Sequence, residues 1–321
     1  MPHYQPATAW TCRSDAEPGD YFCHNIQCCD LSAAAHDWAP WDSEVDTKIL
    51  RPKFAILGFA SDLGVQRNLG RVGAKLAPAL IRKFLSRLSI PYLEPTYDCG
   101  DIVVDESLLA GQQLLAAKVA LLVKAKITPL VLGGGHETAY GHYLGLMHGL
   151  AAPIAILNFD AHFDLRPVSD TNEGNSGTPF RQIYNHLAPQ DFNYYCIGIQ
   201  PRANTRSLYA FAAASGTKFI EAAAVIKFPH RVLELVAEII ARHKYIYVTL
   251  CLDVFHYSFA PGVSAPQALG ISPQIVIEAL QLLKKSQQVC GLDVVELNPN
   301  LDIDNHTARL AANLISEFYY G

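Results

Sequence analysis

Residues 128–137 read TPLVLGGGHE, and residues 154–164 read IAILNFDAHFD. In both, a short apolar run ends abruptly in glycines or in acids and histidines. Each run is apolar on both faces, as a strand of a parallel sheet covered on two sides must be. Working outward, runs of the same length lie at 54–59, 194–199, 245–252 and 289–295. Longer amphipathic stretches separate them at 78–88, 106–126, 231–243, 273–285 and 306–319, and these read as helices. The first of them has Pro78 in its opening turn, where a missing N–H costs nothing. Strand–helix alternation over this length predicts an α/β fold: one doubly wound domain over 51–321, with a parallel sheet and helices on both faces. Residues 1–50 lack the pattern. They read as an irregular lead-in packed on the core, with room for one short helix.

The 321 residues are 50% hydrophobic and carry a net charge of -5. No basic block is interleaved with aromatics, which argues against nucleic acid as a partner. The start, MPHYQPATAW, has no basic residues followed by an apolar stretch, so no cleaved secretory signal is expected, and no apolar run is long enough to span a membrane. The longest candidate, from Leu114, is broken by Lys118, Lys124 and Lys126. Eight cysteines with no CxxC pair are too sparse for a disulfide framework or a zinc knuckle. Reduced thiols and a cytoplasmic location are therefore expected, with the cluster Cys12, Cys23, Cys28 and Cys29 as the exception to watch.

In open α/β sheets, ligands bind beyond the carboxyl ends of the strands. Four runs deliver chemistry there: His136 and Glu137 after the glycines, Asp160, His162 and Asp164, then Cys251 and Asp253, then Glu296. Residues two apart in an extended chain share a face, so Asp160, His162 and Asp164 point together, as do Cys251 and Asp253. A single histidine after a glycine run is more often structural than a ligand. Four such clusters in order are a metal site. Carboxylates mixed with imidazoles suit Mn²⁺, with Fe²⁺, Co²⁺ or Zn²⁺ as alternatives. Bridging carboxylates allow two ions with a hydroxide between them. Glu137 reads as a supporting residue, and His24, His36, His142, His148, His186 and His230 as surface or core.

With these motifs on the page, the chain resembles the arginase/agmatinase superfamily. The resemblance rests on Gly-Gly-Gly-His136-Glu, Asp160-Ala-His162-x-Asp164, Cys251-Leu-Asp253 with Ala260-Pro261-Gly262, and Asp293-Val-Val-Glu296-x-Asn-Pro299. It covers roughly residues 50–321 and implies an eight-stranded parallel sheet and a binuclear manganese centre. His136, Asp160, Asp164 and Cys251 would surround one ion, and Asp160, His162, Asp253 and Cys251 the other. Within the superfamily the local segments are most similar to the formimidoylglutamase branch. They are Asn68-x-Gly70-Arg71-x-Gly73-Ala74, Phe163-Asp164-Leu165-Arg166, Ser176-Gly177-Thr178-Pro179-Phe180-Arg181 and Ala260-Pro261-Gly262-Val263-Ser264-Ala265-Pro266. Two positions depart from the pattern. Ser176 stands where arginases and agmatinases carry a histidine, and Cys251 where most relatives carry a bridging aspartate.

The reaction this implies is hydrolysis of N-formimidoyl-L-glutamate to L-glutamate and formamide, in histidine degradation. A hydroxide between the metals would attack the amidine carbon. Glu296 would pair with the amidinium, and Asp164 would carry a proton to the leaving amine. Arg166 and Arg71 are the candidates for the substrate carboxylates, because a guanidinium binds carboxylate as a fork; Arg181 is read as structural. A guanidino hydrolase is the alternative in the same class, and a metal-poor pseudoenzyme acting as a binding subunit the alternative in another. Cys251 has three readings: a buried small hydrophobe, a thiolate ligand, or a thiol that an N-terminal cysteine could capture on oxidation. Relatives of this kind often form homo-oligomers, and nothing in the chain sets a number.

Overall fold

The computed structural model describes residues 1–32, 53–168 and 173–321. The strands are β1 (His3–Gln5), β2 (Ile26–Cys28), β3 (Phe54–Ala60), β4 (Thr96–Val103) and β5 (Thr128–Leu132), followed by β6 (Ala155–Phe159), β7 (Asn193–Ile199), β8 (Lys218–Glu221), β9 (Ile246–Cys251) and β10 (Val289–Val295). Their spatial order is β1-β4-β3-β5-β10-β9-β6-β7-β8, with β2 also on β4. From β4 to β8 the pairs are parallel, which makes the eight strands expected. β1 runs antiparallel to β4 and β2 parallel to it. Two apolar cores lie on the two faces of this sheet. One gathers Ile81, Leu280 and Ile315 from helices Ala77–Leu85, Pro273–Ser286 and His306–Tyr320. The other gathers Leu115, Val119, Tyr140 and Tyr143 from helices Leu108–Lys124 and Thr138–Leu150. No helix among the described residues is long and apolar enough to cross a membrane.

The N-terminal expectation needs correcting. Residues 1–32 are not wholly irregular, because β1 and β2 both extend the sheet at β4; the expected boundary near residue 50 lies outside the described residues. Cys12 and Cys23 form a disulfide, so the thiols are not all reduced as expected. Cys12 lines the same cavity as Asp98 and Asp101 of β4, β2 with Cys28 pairs with β4, and Cys29 donates its backbone N–H to Asp98. β9, which carries Cys251, stands four strand steps from β4. At ~4.8 Å per step that is roughly 19 Å, beyond the reach of any disulfide. Oxidative capture of Cys251 by the N-terminal cysteines is therefore not built into this fold.

Strand β4 escaped the sequence reading because acids interrupt it. Arg82 neutralises them: its Nε and Nη2 donate to the two Asp98 oxygens at 2.9 Å, and Nη1 to Asp101 at 2.6 Å. The helix Thr138–Leu150 escaped because nearly its whole first two turns are buried, leaving no polar face to give a period.

The pairing register brings four strand ends level. Leu132 pairs with Val294, Val295 with Cys251, and Leu250 with Phe159. Chain leaving β5, β10, β9 and β6 thus departs from one line at the centre of the sheet. After β5 the glycines keep bonding: Gly133 N–H donates to Val294, Gly134 N–H to Phe59, and Gly134 carbonyl accepts from Glu296. A Cβ on Gly134 would lie 1.7 Å from the Ser61 carbonyl oxygen. Gly134→Ala should therefore destabilise the metal-free protein by about 1–3 kcal/mol, the range for forcing atoms into a packed site. Urea unfolding reads this, and a midpoint equal to wild type would show that the crossing has slack.

Candidate metal centre

The four strand ends place every metal-capable residue singled out from the sequence around one point. Two of the acids sit on left-handed backbone: Asp164 at φ 49° and Glu296 at φ 70°. That conformation is costly for a residue with a side chain and is held by its surroundings. For Glu296, backbone N–H donates to Gly134 and Oε1 accepts the His136 N–H at 2.7 Å. The twist turns the side chain off the strand alternation and toward the centre.

His136 Nδ1 stands 3.0 Å from Asp160 Oδ2 and 3.0 Å from Asp164 Oδ2. It nevertheless has no hydrogen-bond partner of proper geometry, and it is fully buried. On the other side, His162 Nδ1 stands 3.5 Å from Asp160 Oδ1 and 3.1 Å from Asp253 Oδ2. Two groups of donor atoms result, each within 4.8 Å: His136, Asp160 and Cys251, and Asp160, His162 and Asp253. Asp160 belongs to both. Asp160 itself is aimed by the backbone N–H of His162 at 2.7 Å and by Asn158 Nδ2 at 3.1 Å. Asn204 braces the intervening loop, accepting from Phe163 N–H and donating to the Ala161 carbonyl.

The electrostatics describe a site that lacks positive charge. Burial lifts the Asp164 carboxyl to about 6, with the Asp160 charge adding to it. Burial, then Glu137 and Asp253, lifts Glu296 to about 8. Burial also raises Asp253 and, with the surrounding carboxylates, holds the Cys251 thiol well above its usual range. Burial opposes protonation of His136 and His162, but their aspartate neighbours outweigh it and raise both. Only Asp160 is lowered: the two imidazoles overcome its burial. Divalent cations relieve this crowding. Converging oxygen and nitrogen donors without hydrogen-bond geometry, and Asp253 Oδ1 buried without a partner, fit such ions.

Above the donors lies a cavity of about 450 Å³. Arg166 lines it and is the only lysine or arginine among its described lining residues. Ser176 lines it too, its Oγ accepting from Asn68 Nδ2 at 3.1 Å, so a neutral pair occupies the place of the absent histidine. Arg71 is not among the described residues that line the cavity; its Nε and Nη2 donate to the carbonyls of Ser264 and Val263 at 3.0 and 2.8 Å, which ties it to the segment that carries the lining residue Ser264. Glu137, lifted by burial to about 7, accepts from Gly64 N–H and holds the loop after β3. Arg181 stacks over Phe211 at 3.2 Å, a structural contact as read from the sequence.

Sequence reading missed the support behind the ligands. Thr249, Asp293 and His142 are all fully buried and linked to His136. The available signal was polar residues inside two apolar strands, with Thr249 on the same strand face as Cys251.

Comparison with known proteins agrees with this geometry. Residues 52–321 match the Arginase family. A formimidoylglutamase of Clostridium tetani is 38% identical over 273 residues, 82% of this chain and 80% of that one. A formimidoylglutamase of Streptococcus pyogenes is 41% identical over 271 residues, 82% of each. A Trypanosoma cruzi formiminoglutamase solved with Mn²⁺ superposes with a TM-score of 0.76 at 28% identity, over 84% of this chain and 93% of that one. Motif, fold and match coincide over the same residues, and the chain belongs to the arginase family.

Proposed function

We propose that this protein hydrolyses N-formimidoyl-L-glutamate to L-glutamate and formamide at two manganese ions. The observation that carries the reading is one cavity with an acid–imidazole floor and, among its described lining residues, a single arginine. Hard oxygen donors with imidazoles are a manganese set, and the T. cruzi relative was solved with that metal. His136, Asp160, Asp164 and Cys251 would hold one ion, and Asp160, His162, Asp253 and Cys251 the other. As a ligand there, Cys251 would be a softer donor than a carboxylate and would hold manganese less tightly than an aspartate. Bound there, the ions supply Lewis acidity that makes water acidic enough to react near neutral pH.

The chain's own groups do the remainder. Glu296 faces the amidinium and orients its planar carbon. Water adds through its oxygen to that carbon, and the carbon–nitrogen bond to the glutamate amine breaks. The water oxygen ends as the carbonyl of formamide. Asp164 takes the proton that water gives up and delivers it to the departing amine. Arg166 pairs with a substrate carboxylate, which disfavours a dication such as agmatine. We place this reaction in the cytoplasm, as the sparse cysteines led us to expect, the Cys12–Cys23 disulfide apart.

Two experiments test the reading. With manganese supplied, formimidoylglutamate should release amine far faster than arginine, agmatine or guanidinobutyrate; a preference for any guanidino compound would replace the substrate assignment. Arg166→Ala should weaken turnover of formimidoylglutamate roughly 10- to 100-fold, the ~1.5–3 kcal/mol of a hydrogen bond to a charged group. It should leave a carboxylate-free formamidine little changed, and equal losses on both would assign Arg166 to loop support.

Asp160→Asn removes the carboxylate common to both donor groups. Metal analysis should find both ions depleted and activity lost with them. Full metal content together with wild-type turnover would end the binuclear proposal.

A further inference from the structure

Behind the metal-facing side of His136 runs a chain of hydrogen bonds that no role assigned so far uses. The far ring nitrogen, Nε2, lies 3.0 Å from Thr249 Oγ1. The Thr249 hydroxyl donates to Asp293 Oδ1, and the Tyr247 hydroxyl donates to Asp293 Oδ2. His142 Nδ1 approaches the same Oδ2 at 2.9 Å. All five residues are at most 1% exposed. His142 Nε2 is left without a partner, facing the space that Gly291 provides by having no side chain.

The directions of these bonds follow from proton counting. A hydroxyl has one proton, and that of Thr249 is committed to the carboxylate. Its oxygen can therefore only accept from His136, which puts a proton on Nε2. The lone pair of a neutral His136 ring is then on Nδ1, the nitrogen 3.0 Å from both Asp160 and Asp164. We propose that Asp293, acting through Thr249, is a positioning residue that fixes His136 as the Nε2-protonated tautomer and holds its Nδ1 lone pair toward the metal. Such outer partners orient a ligating imidazole and raise its basicity. Asp293 in turn is kept in place by Tyr247 and His142, so the side chains of two central strands and of helix Thr138–Leu150 jointly aim one nitrogen. The inference rests on the metallohydrolase reading above.

The test is manganese binding by equilibrium dialysis on wild type, Thr249→Val, Thr249→Ser, Asp293→Asn and the Thr249→Val/Asp293→Asn double variant. Valine keeps the shape of threonine and removes only the relay. Its manganese dissociation constant should rise about 10- to 100-fold, the range for losing an outer partner of a ligating histidine, while serine should restore binding to within about threefold of wild type. The metal-free Thr249→Val protein should lose some stability because the buried His136 N–H and Asp293 oxygen are left unpaired, so dialysis is run where its urea curve shows it fully folded, which separates aiming from general support. Because Asp293 acts through Thr249, the double variant should lose no more than the worse single variant. Additive losses, or Thr249→Ser as weak as Thr249→Val, would overturn the inference. If Asp293→Asn does not fold, the valine–serine contrast decides alone. Wild type that takes up no manganese defeats the metallohydrolase reading itself; wild type that binds while Thr249→Val binds equally well defeats only this inference.

Discussion

A carboxylate that water cannot reach is the constraint around which the molecule is arranged. Asp160 has no exposed surface, yet it is the one acid of the cluster that stays below its ordinary range, because imidazoles flank both its oxygens. An ionised group can be buried only where partners surround it, and removing one of them leaves an uncompensated charge. Its position demands that the ends of β5, β6 and β9 meet around it. That in turn demands the central order β5-β10-β9-β6 and a register that levels the strand ends. The glycines after β5 serve the same requirement, since a side chain at Gly134 would hold the His136 loop away from β3.

Much of the fold was legible because strands buried on both faces print themselves as unbroken apolar runs. The donors were legible for the complementary reason: Asp160, His136 and Glu296 are polar groups where such runs stop. What stayed hidden shares a cause. Thr249 and Asp293 are polar groups inside strands, and from a single strand they look like interruptions; only the pairing of β9 with β10 makes them neighbours. β4 was hidden because Asp98 and Asp101 need Arg82, from a distant helix, to be tolerable in a sheet. The contacts of Arg71 were hidden because the direction of a loop arginine depends on which chain lies opposite, and opposite it are two carbonyls of 263 and 264.

The left-handed backbone at Asp164 and Glu296 shows how the site differs from its scaffold. Strand alternation would send successive side chains to the two faces of the sheet, into apolar packing. At Glu296, directly after β10, a positive φ interrupts that alternation, and Asp164, in the loop after β6, shares the conformation. The local cost is of order 1–3 kcal/mol per residue, and the bonds from Gly134 and His136 hold it in place at Glu296. Both acids are thereby set before any ligand arrives, which limits the reorganisation left for the reaction.

The strand order also governs when the centre can come into being. β5 and β6 leave the ribosome early and carry His136, Asp160, His162 and Asp164, but they are not neighbours in the sheet: β9 and β10, made last, lie between them. A nascent chain that has reached residue 245 holds four of the six proposed donors, carried by two strands with open edges between them. Pairing across such sequence separations is slow and leaves those edges exposed meanwhile. The final strands act as a keystone, and no assembled metal centre can precede the synthesis of β10.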